Sequence, residues 1–254
     1  MKTLAGSAGL VRAIILVLLL GAMIACSGSS QGQLLTDDLS QPLNGATTAK
    51  LDVDCGPGHL AIDRLTGGEP LLAGGTLQYF ERQGPPNHTL SAIGSQTTFT
   101  LQDSGSATAG AGFRWPWQAC AGGAFEWLLH LNPTVSYDIA AHSDGGNVTL
   151  DLAGMAVSRV TADTAGGDVD VVLPDNAADL SVTAKTGAGN VTVSVPSGVA
   201  AKIHASSGLG KVIVDPRFSK LDDNTYQSPD YDAAANRVEI TASSGAGNVS
   251  VITR

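Results

Sequence analysis

The chain has 254 residues, 31 of them glycine, with 43% hydrophobic, 5% aromatic and 15% charged residues and a net charge of −9. Glycine lies above and charge below the averages of globular proteins, and this balance excludes a disordered tail and a coiled coil. The negative charge has the wrong sign for a phosphate backbone, so nucleic acid is not an expected partner.

Lys2 and Arg12 precede an apolar run of 13 residues, Ala13 to Ala25. In a helix that run reaches about 20 Å, short of the ~30 Å hydrocarbon core, so residues 1–25 read as a signal peptide and not as a spanning helix. Met23-Ile24-Ala25-Cys26 resembles the bacterial lipobox, whose cysteine is diacylated and becomes the new N-terminus. The Ser/Gly-rich stretch that follows reads as a flexible tether over 26–47. Loss of 1–25 removes Lys2 and Arg12 and leaves the mature chain at −11, so a lipid on Cys26 must do the anchoring. The expected location is extracytoplasmic, at the bacterial cell surface or in the periplasm. There Cys55 and Cys120 are candidates for a disulfide worth about 4 kcal/mol on the chain-entropy model, or are two buried thiols.

Leu51 to Ile62 has strand-like alternation about Gly58, and Thr76–Arg82, His88–Ile93 and Thr97–Gln102 alternate likewise. A loose loop at 104–112 leads into an aromatic-rich segment with Phe113, Trp115, Trp117, Phe125 and Trp127. From residue 136 the chain repeats. IAAHSDGGNVTLDL, VTADTAGGDVDVVL, VTAKTGAGNVTVSV, IHASSGLGKVIVDP and ITASSGAGNVSVIT align on Gly146, Gly167, Gly189, Gly210 and Gly247, at intervals of 21, 22, 21 and 37 residues.

Seven positions before the glycine stand Ile139, Val160, Val182, Ile203 and Ile240; five before stand Ala141, Ala162, Ala184, Ala205 and Ala242; three before stand Ser143, Thr164, Thr186, Ser207 and Ser244. These columns differ by two and share one strand face. Val148, Val169, Val191, Val212 and Val249, two after the glycine, begin a second strand. The glycine between them supplies a positive φ or a close backbone approach. A period near 20 with strand content predicts an all-β solenoid of about 21-residue coils forming two facing sheets, with successive windings piled on one another. Gly58 fits as an outlying copy, with Leu51 and Val53 inward and Cys55 in the hydroxyl column. The predicted organisation is an irregular part over 48–135, regular coils over 136–254 and an insertion at 215–237.

Glu126-Trp127-Leu128-Leu129-His130-Leu131-Asn132-Pro133, the Gly-x-Gly coils with Leu150-Asp151-Leu152-Ala153-Gly154, Val195-Pro196-Ser197-Gly198-Val199 and Ser207-Gly208-Leu209-Gly210-Lys211-Val212 together resemble the toast-rack family of bacterial envelope proteins. The domain is also similar to the extracytoplasmic part of LiaF-type envelope-stress regulators and to adhesin-like β-helices. The resemblance covers roughly 48–254 and implies a right-handed β-helix without recognised catalytic residues.

Gly187-Ala188-Gly189 is no dinucleotide fingerprint, because a strand follows where a helix would have to hold the pyrophosphate. The five histidines, His59, His88, His130, His142 and His204, lack ligand spacing, so no metal or other cofactor is expected. His142, Ser143 and Asp144 are strand neighbours on alternating faces and cannot form a triad. Asp163, Asp168, Asp170 and Asp175 read as a solvated face, since calcium β-rolls repeat every nine residues. Asn147, Asn190 and Asn248 sit in Asn-x-Ser/Thr sequons because they share a turn column. The candidate binding residues are Trp115, Trp117 and Trp127, which can stack on a sugar, anchor a protein or cap the solenoid, and Tyr226 and Tyr231 in the insertion. The function expected is a lipid-anchored, non-enzymatic scaffold or adhesion module that meets an envelope protein or glycan. The alternative is a polysaccharide-active β-helix enzyme, a lyase or glycosidase, which needs clustered carboxylates or a Lys/Arg base in a groove.

Overall fold

The computed structural model describes residues 32–107 and 125–254. The strands are β1 (Leu34–Pro42), β2 (Thr48–Asp54), β3 (His59–Arg64), β4 (Leu71–Phe80), β5 (Asn87–Ile93), β6 (Gln96–Gln102), β7 (Glu126–Leu131), β8 (Ser136–Ser143), β9 (Val148–Asp151) and β10 (Ala156–Thr164). They continue with β11 (Val169–Val172), β12 (Leu180–Ala188), β13 (Val191–Val195), β14 (Ala200–Leu209), β15 (Val212–Val214), β16 (Ser219–Lys220), β17 (Thr225–Gln227), β18 (Arg237–Ala246) and β19 (Val249–Thr253). A single helical turn, Ser104–Ala107, lies in the predicted loop. Among the described residues no helix is long and apolar enough to cross a membrane.

Two sheets result, in the orders β1-β4-β7-β3-β9-β11-β13-β19-β15 and β16-β17-β14-β18-β12-β10-β8-β2-β6-β5. Each coil contributes one strand to each sheet, and the coils run parallel and in register. The valine column pairs Val148 with Val169, Val169 with Val191, Val191 with Val249 and Val249 with Val212. Its first three members and Val249 are completely buried, and the five alanines of the facing column are also buried. Fully burying a valine stabilises by about 1.5–3 kcal/mol, and the stack repeats that contribution at the four coils whose valine is fully buried.

The stacking order departs from chain order. The coil of β18 and β19, last in sequence, sits between those of β12/β13 and β14/β15. The segment read as an insertion makes this possible. β16 and β17 form an antiparallel hairpin on the outer edge of β14, and the chain then returns to fill the slot on the inner side. The other end has the same device: β2/β3 lies between the later strands β6/β7 and β8/β9. Leu34–Pro42 corrects the predicted tether. It is an edge strand, antiparallel to β4, so any tether stops before Leu34. Its alternation is faint because both faces are largely exposed and only Leu39 packs on the core.

The glycine column is explained by close approach. A Cβ on Gly146, Gly167, Gly189, Gly247 or Gly210 would come within 1.9–2.2 Å of the carbonyl oxygen of the glycine in the adjacent coil. The hydroxyl column satisfies those same carbonyls. Ser143 donates to Gly58 O (2.9 Å), Thr164 to Gly146 O (2.8 Å), Thr186 to Gly167 O (2.7 Å), Ser244 to Gly189 O (2.7 Å) and Ser207 to Gly247 O (2.7 Å). Cys55 occupies this column too, and its thiol donates to Gly58 O at 3.1 Å. A backbone carbonyl buried without a donor is costly, so small hydroxyls recur there.

Candidate functional site

Outside the core, the turn after the glycine carries a second ladder. The Asn147 side-chain oxygen accepts from the Asp168 amide, Asp168 from Asn190, Asn190 from Asn248 and Asn248 from Lys211, each at 2.7–3.0 Å. The sequon asparagines are therefore structural members of the stack. His59 starts the ladder by accepting from the Asn147 amide.

The histidines do not converge. Ser143 points into the core while His142 lies on the outer face, where its Nδ1 meets Asp163 at 2.5 Å and its Nε2 lies 3.4 Å from Asp144. Bonding to Asp163 outweighs partial burial and, with the charges of Asp163 and Asp54, raises the His142 pKa to about 9. His130 pairs with Asp63 on the other sheet, and His204 meets Thr225. Among the described residues no three His, Cys, Asp or Glu side chains are grouped to hold a metal ion.

The aromatic candidates separate. Trp127 is completely buried, its indole N–H donates to Gln78 O at 2.9 Å and its ring lies 6.3 Å from that of Phe125. It is a core residue of β7 and not a binding surface: an inward position took the chain's largest side chain, and Gln78 satisfies its one polar atom. Trp115, Trp117, Cys120 and Cys26 lie outside the described residues. Cys55 is buried, and that burial pushes its thiol up to about 12. Tyr226 of β17 is half-buried against the core.

Tyr231 reaches a concavity. It lines a pocket of about 240 Å³ with Asp179, Leu180, Ser181, Arg237 and Glu239. Permuted stacking builds this site: because β18 lies against β12, Ser181 pairs directly with Glu239 and Leu180 with Val238. The Arg237 guanidinium Nε lies 2.5 Å from the Asp179 carboxylate. Burial and the Glu239 charge raise the Tyr231 pKa, against an opposing effect of Arg237, so the phenol stays protonated at neutral pH and can donate.

The wall of the pocket is the turn between β11 and β12, and it is held in a strained shape. Ala178 and Asp179 have φ of +36° and +68°, outside the comfortable range for side-chain-bearing residues. Asn236 clamps the turn, accepting from the Ala177 amide at 2.6 Å and donating to Asp175 O (2.9 Å) and Gly198 O (3.2 Å). Arg254 holds its base through Leu173 O and the Asp175 carboxylate. A wider cleft of about 460 Å³, lined by Pro133, Met155, Val157, Asn176 and Ala178 among others, opens on the other side of this turn. Sequence reasoning finds Tyr231 but not Asp179, Arg237 or Asn236. The run of positions eight before each glycine does contain Ser181 and Glu239, yet places them two coils apart.

Comparison with known proteins agrees with this architecture. The N-terminal domain of toast_rack matches residues 29–194, and the C-terminal domain described as cell wall-active antibiotics response LiaF matches residues 146–251. A crystal structure of a candidate cell adhesion protein from Clostridium sporogenes superposes with a TM-score of 0.72 at 21% identity, covering 87% of this chain and all of that one. A candidate adhesin from Bacteroides fragilis covers 87% of this chain and 97% of its own at 10% identity, but with a TM-score of 0.28 it bears on neither fold nor function. No curated protein matches the sequence. With most of its length under the first of these profiles and its coils in the corresponding fold, the chain belongs to the toast-rack family.

Proposed function

We propose that this protein is a lipid-anchored, non-enzymatic scaffold of the bacterial cell envelope that presents a fixed outer surface to an envelope protein or glycan. The observation that carries the reading is the pair of ladders, glycine–hydroxyl inside and asparagine outside. They lock the regular coils in register and set the spacing of everything attached to them. The match to a LiaF C-terminal domain over the regular coils supports a link to the envelope-stress response. The separation of Ser143 from His142 and the division of the histidines between sheets support binding over catalysis, as does the Tyr231 pocket, where Asp179 is tied to Arg237.

Cys26 is the anchor in this reading. With β1 beginning at Leu34, the eight steps from Cys26 allow at most about 29 Å between lipid and domain, so the scaffold works close to its membrane. Metabolic labelling with a fatty acid is expected to mark the wild type and sediment it with membranes. Cys26→Ser is expected to be unlabelled; label retained by Cys26→Ser contradicts the anchor. Depolymerisation of envelope polysaccharide by the purified chain contradicts the non-enzymatic part.

A further inference from the structure

The pocket beside Tyr231 has a balance of groups that narrows its ligand. Asp179 and Glu239 supply acceptors, while Arg237, Ser181 and the Tyr231 phenol supply donors. An anion would face two carboxylates there, and because Arg237 holds Asp179 a metal cation would find too few converging ligands. An apolar ligand would strip water from all five groups without replacing a hydrogen bond. A neutral ligand rich in hydroxyls meets each of them, because every hydroxyl both donates and accepts. The paired Asp179 and Arg237 still have hydrogen-bonding capacity beyond their mutual contact at 2.5 Å.

Shape and rigidity point the same way. The concavity is open on one side, with Asp179, Ser181 and Glu239 exposed, so it suits one ring laid against its wall and not an enclosed ligand. The half-exposed Tyr231 offers an aromatic face and a hydroxyl in one side chain, suited to the apolar and polar sides of such a ring. The strained Ala178–Asp179 turn is fixed by Asn236 and Arg237 before any ligand arrives, which reduces the ordering cost of binding.

We propose that this pocket binds a single neutral saccharide residue, its ring against Tyr231 and its hydroxyls bonded to Arg237, Asp179, Glu239 and Ser181. The assignment rests on the display reading above and names one chemical class that the scaffold presents itself to. The Asp179–Arg237 pair orients the polar wall, and Asn236 is a positioning residue behind it.

The test uses the full chain in a sugar-free detergent, with glucose, galactose, mannose and N-acetylglucosamine as separate probes in saturation-transfer NMR. At least one of the four is expected to receive saturation. Tyr231→Ala is expected to weaken that sugar about ten-fold, and Glu239→Gln, which keeps the shape of the side chain, to weaken it measurably. The strand signature in circular dichroism identifies a variant that has failed to fold, and the other variant then decides. Absence of transfer to all four sugars, or wild-type affinity in the folded variants, overturns the pocket assignment. Co-purification of an envelope protein with both wild type and Tyr231→Ala, in the absence of sugar binding, would overturn the pocket while leaving the display function intact.

Discussion

Gly146→Ala is expected to unfold the domain, whereas Gly145→Ala, one residue earlier, is expected to leave it folded. The added methyl group is the same in both. At Gly146 a Cβ would lie 2.0 Å from the carbonyl oxygen of Gly58 and 2.4 Å from its carbon. Both are backbone atoms of a neighbouring coil, and neither can rotate away. That oxygen also accepts the Ser143 hydroxyl, which in turn accepts the Gly146 amide at 2.8 Å, so separating the coils breaks both bonds. The expected cost exceeds about 4 kcal/mol, a large part of the ~5–15 kcal/mol that holds a domain together. Gly145 has open space where its Cβ would stand and does not adopt the left-handed φ that favours glycine. Its replacement is expected to change stability by less than about 1 kcal/mol. Urea denaturation followed by circular dichroism distinguishes the two; equal midpoints would contradict the close approach.

Val191→Asp is the second large effect. Val191 is completely buried between Val169 and Val249, and a carboxylate there has only apolar column neighbours. It must lose its water or force the coils apart, at an expected cost of about 3–5 kcal/mol. Val212→Asp makes the same chemical change at the outermost coil of the same sheet, where the side chain is only half-buried. Its expected cost is below about 2 kcal/mol. Comparing the two denaturation midpoints tests the neighbour dependence of the stack, which equal losses would contradict.

The repeat was legible because burial and close approach act on every coil alike. Five alanines, five valines, five small hydroxyls and five glycines each answer one recurring constraint, so the columns reveal two sheets and the turn between them. The order of coils was not legible for the same reason. Val191 can pack equally well on Val212 or Val249, so the inward residues do not encode which coil lies next. Chain connectivity decides it, through the hairpin that covers the outer edge of β14 and sends the chain back inward. The site inherits that ambiguity: Ser181 and Glu239 meet only because coils third and fifth in sequence are neighbours. Trp127 misleads in another way. Aromatic residues in an irregular segment look like a surface cluster, and the alternation of β7 that buries Trp127 with Leu129 and Leu131 is short. Leu34–Pro42 carries little apolar signal because an edge strand with two wet faces needs little.

A pair of double-cysteine chains distinguishes an interleaved stack from one in chain order. Thr192, Ser250 and Ile213 stand in one outward row in that spatial order. Neighbouring strands lie about 4.8 Å apart, and strands once removed twice that. A bifunctional thiol reagent spanning about 5 Å, with linked peptides identified by mass spectrometry, is expected to join Thr192→Cys to Ser250→Cys and to leave Thr192→Cys and Ile213→Cys unjoined. Efficient linkage of 192 to 213 with none to 250 would show coils stacked in chain order and would contradict the account.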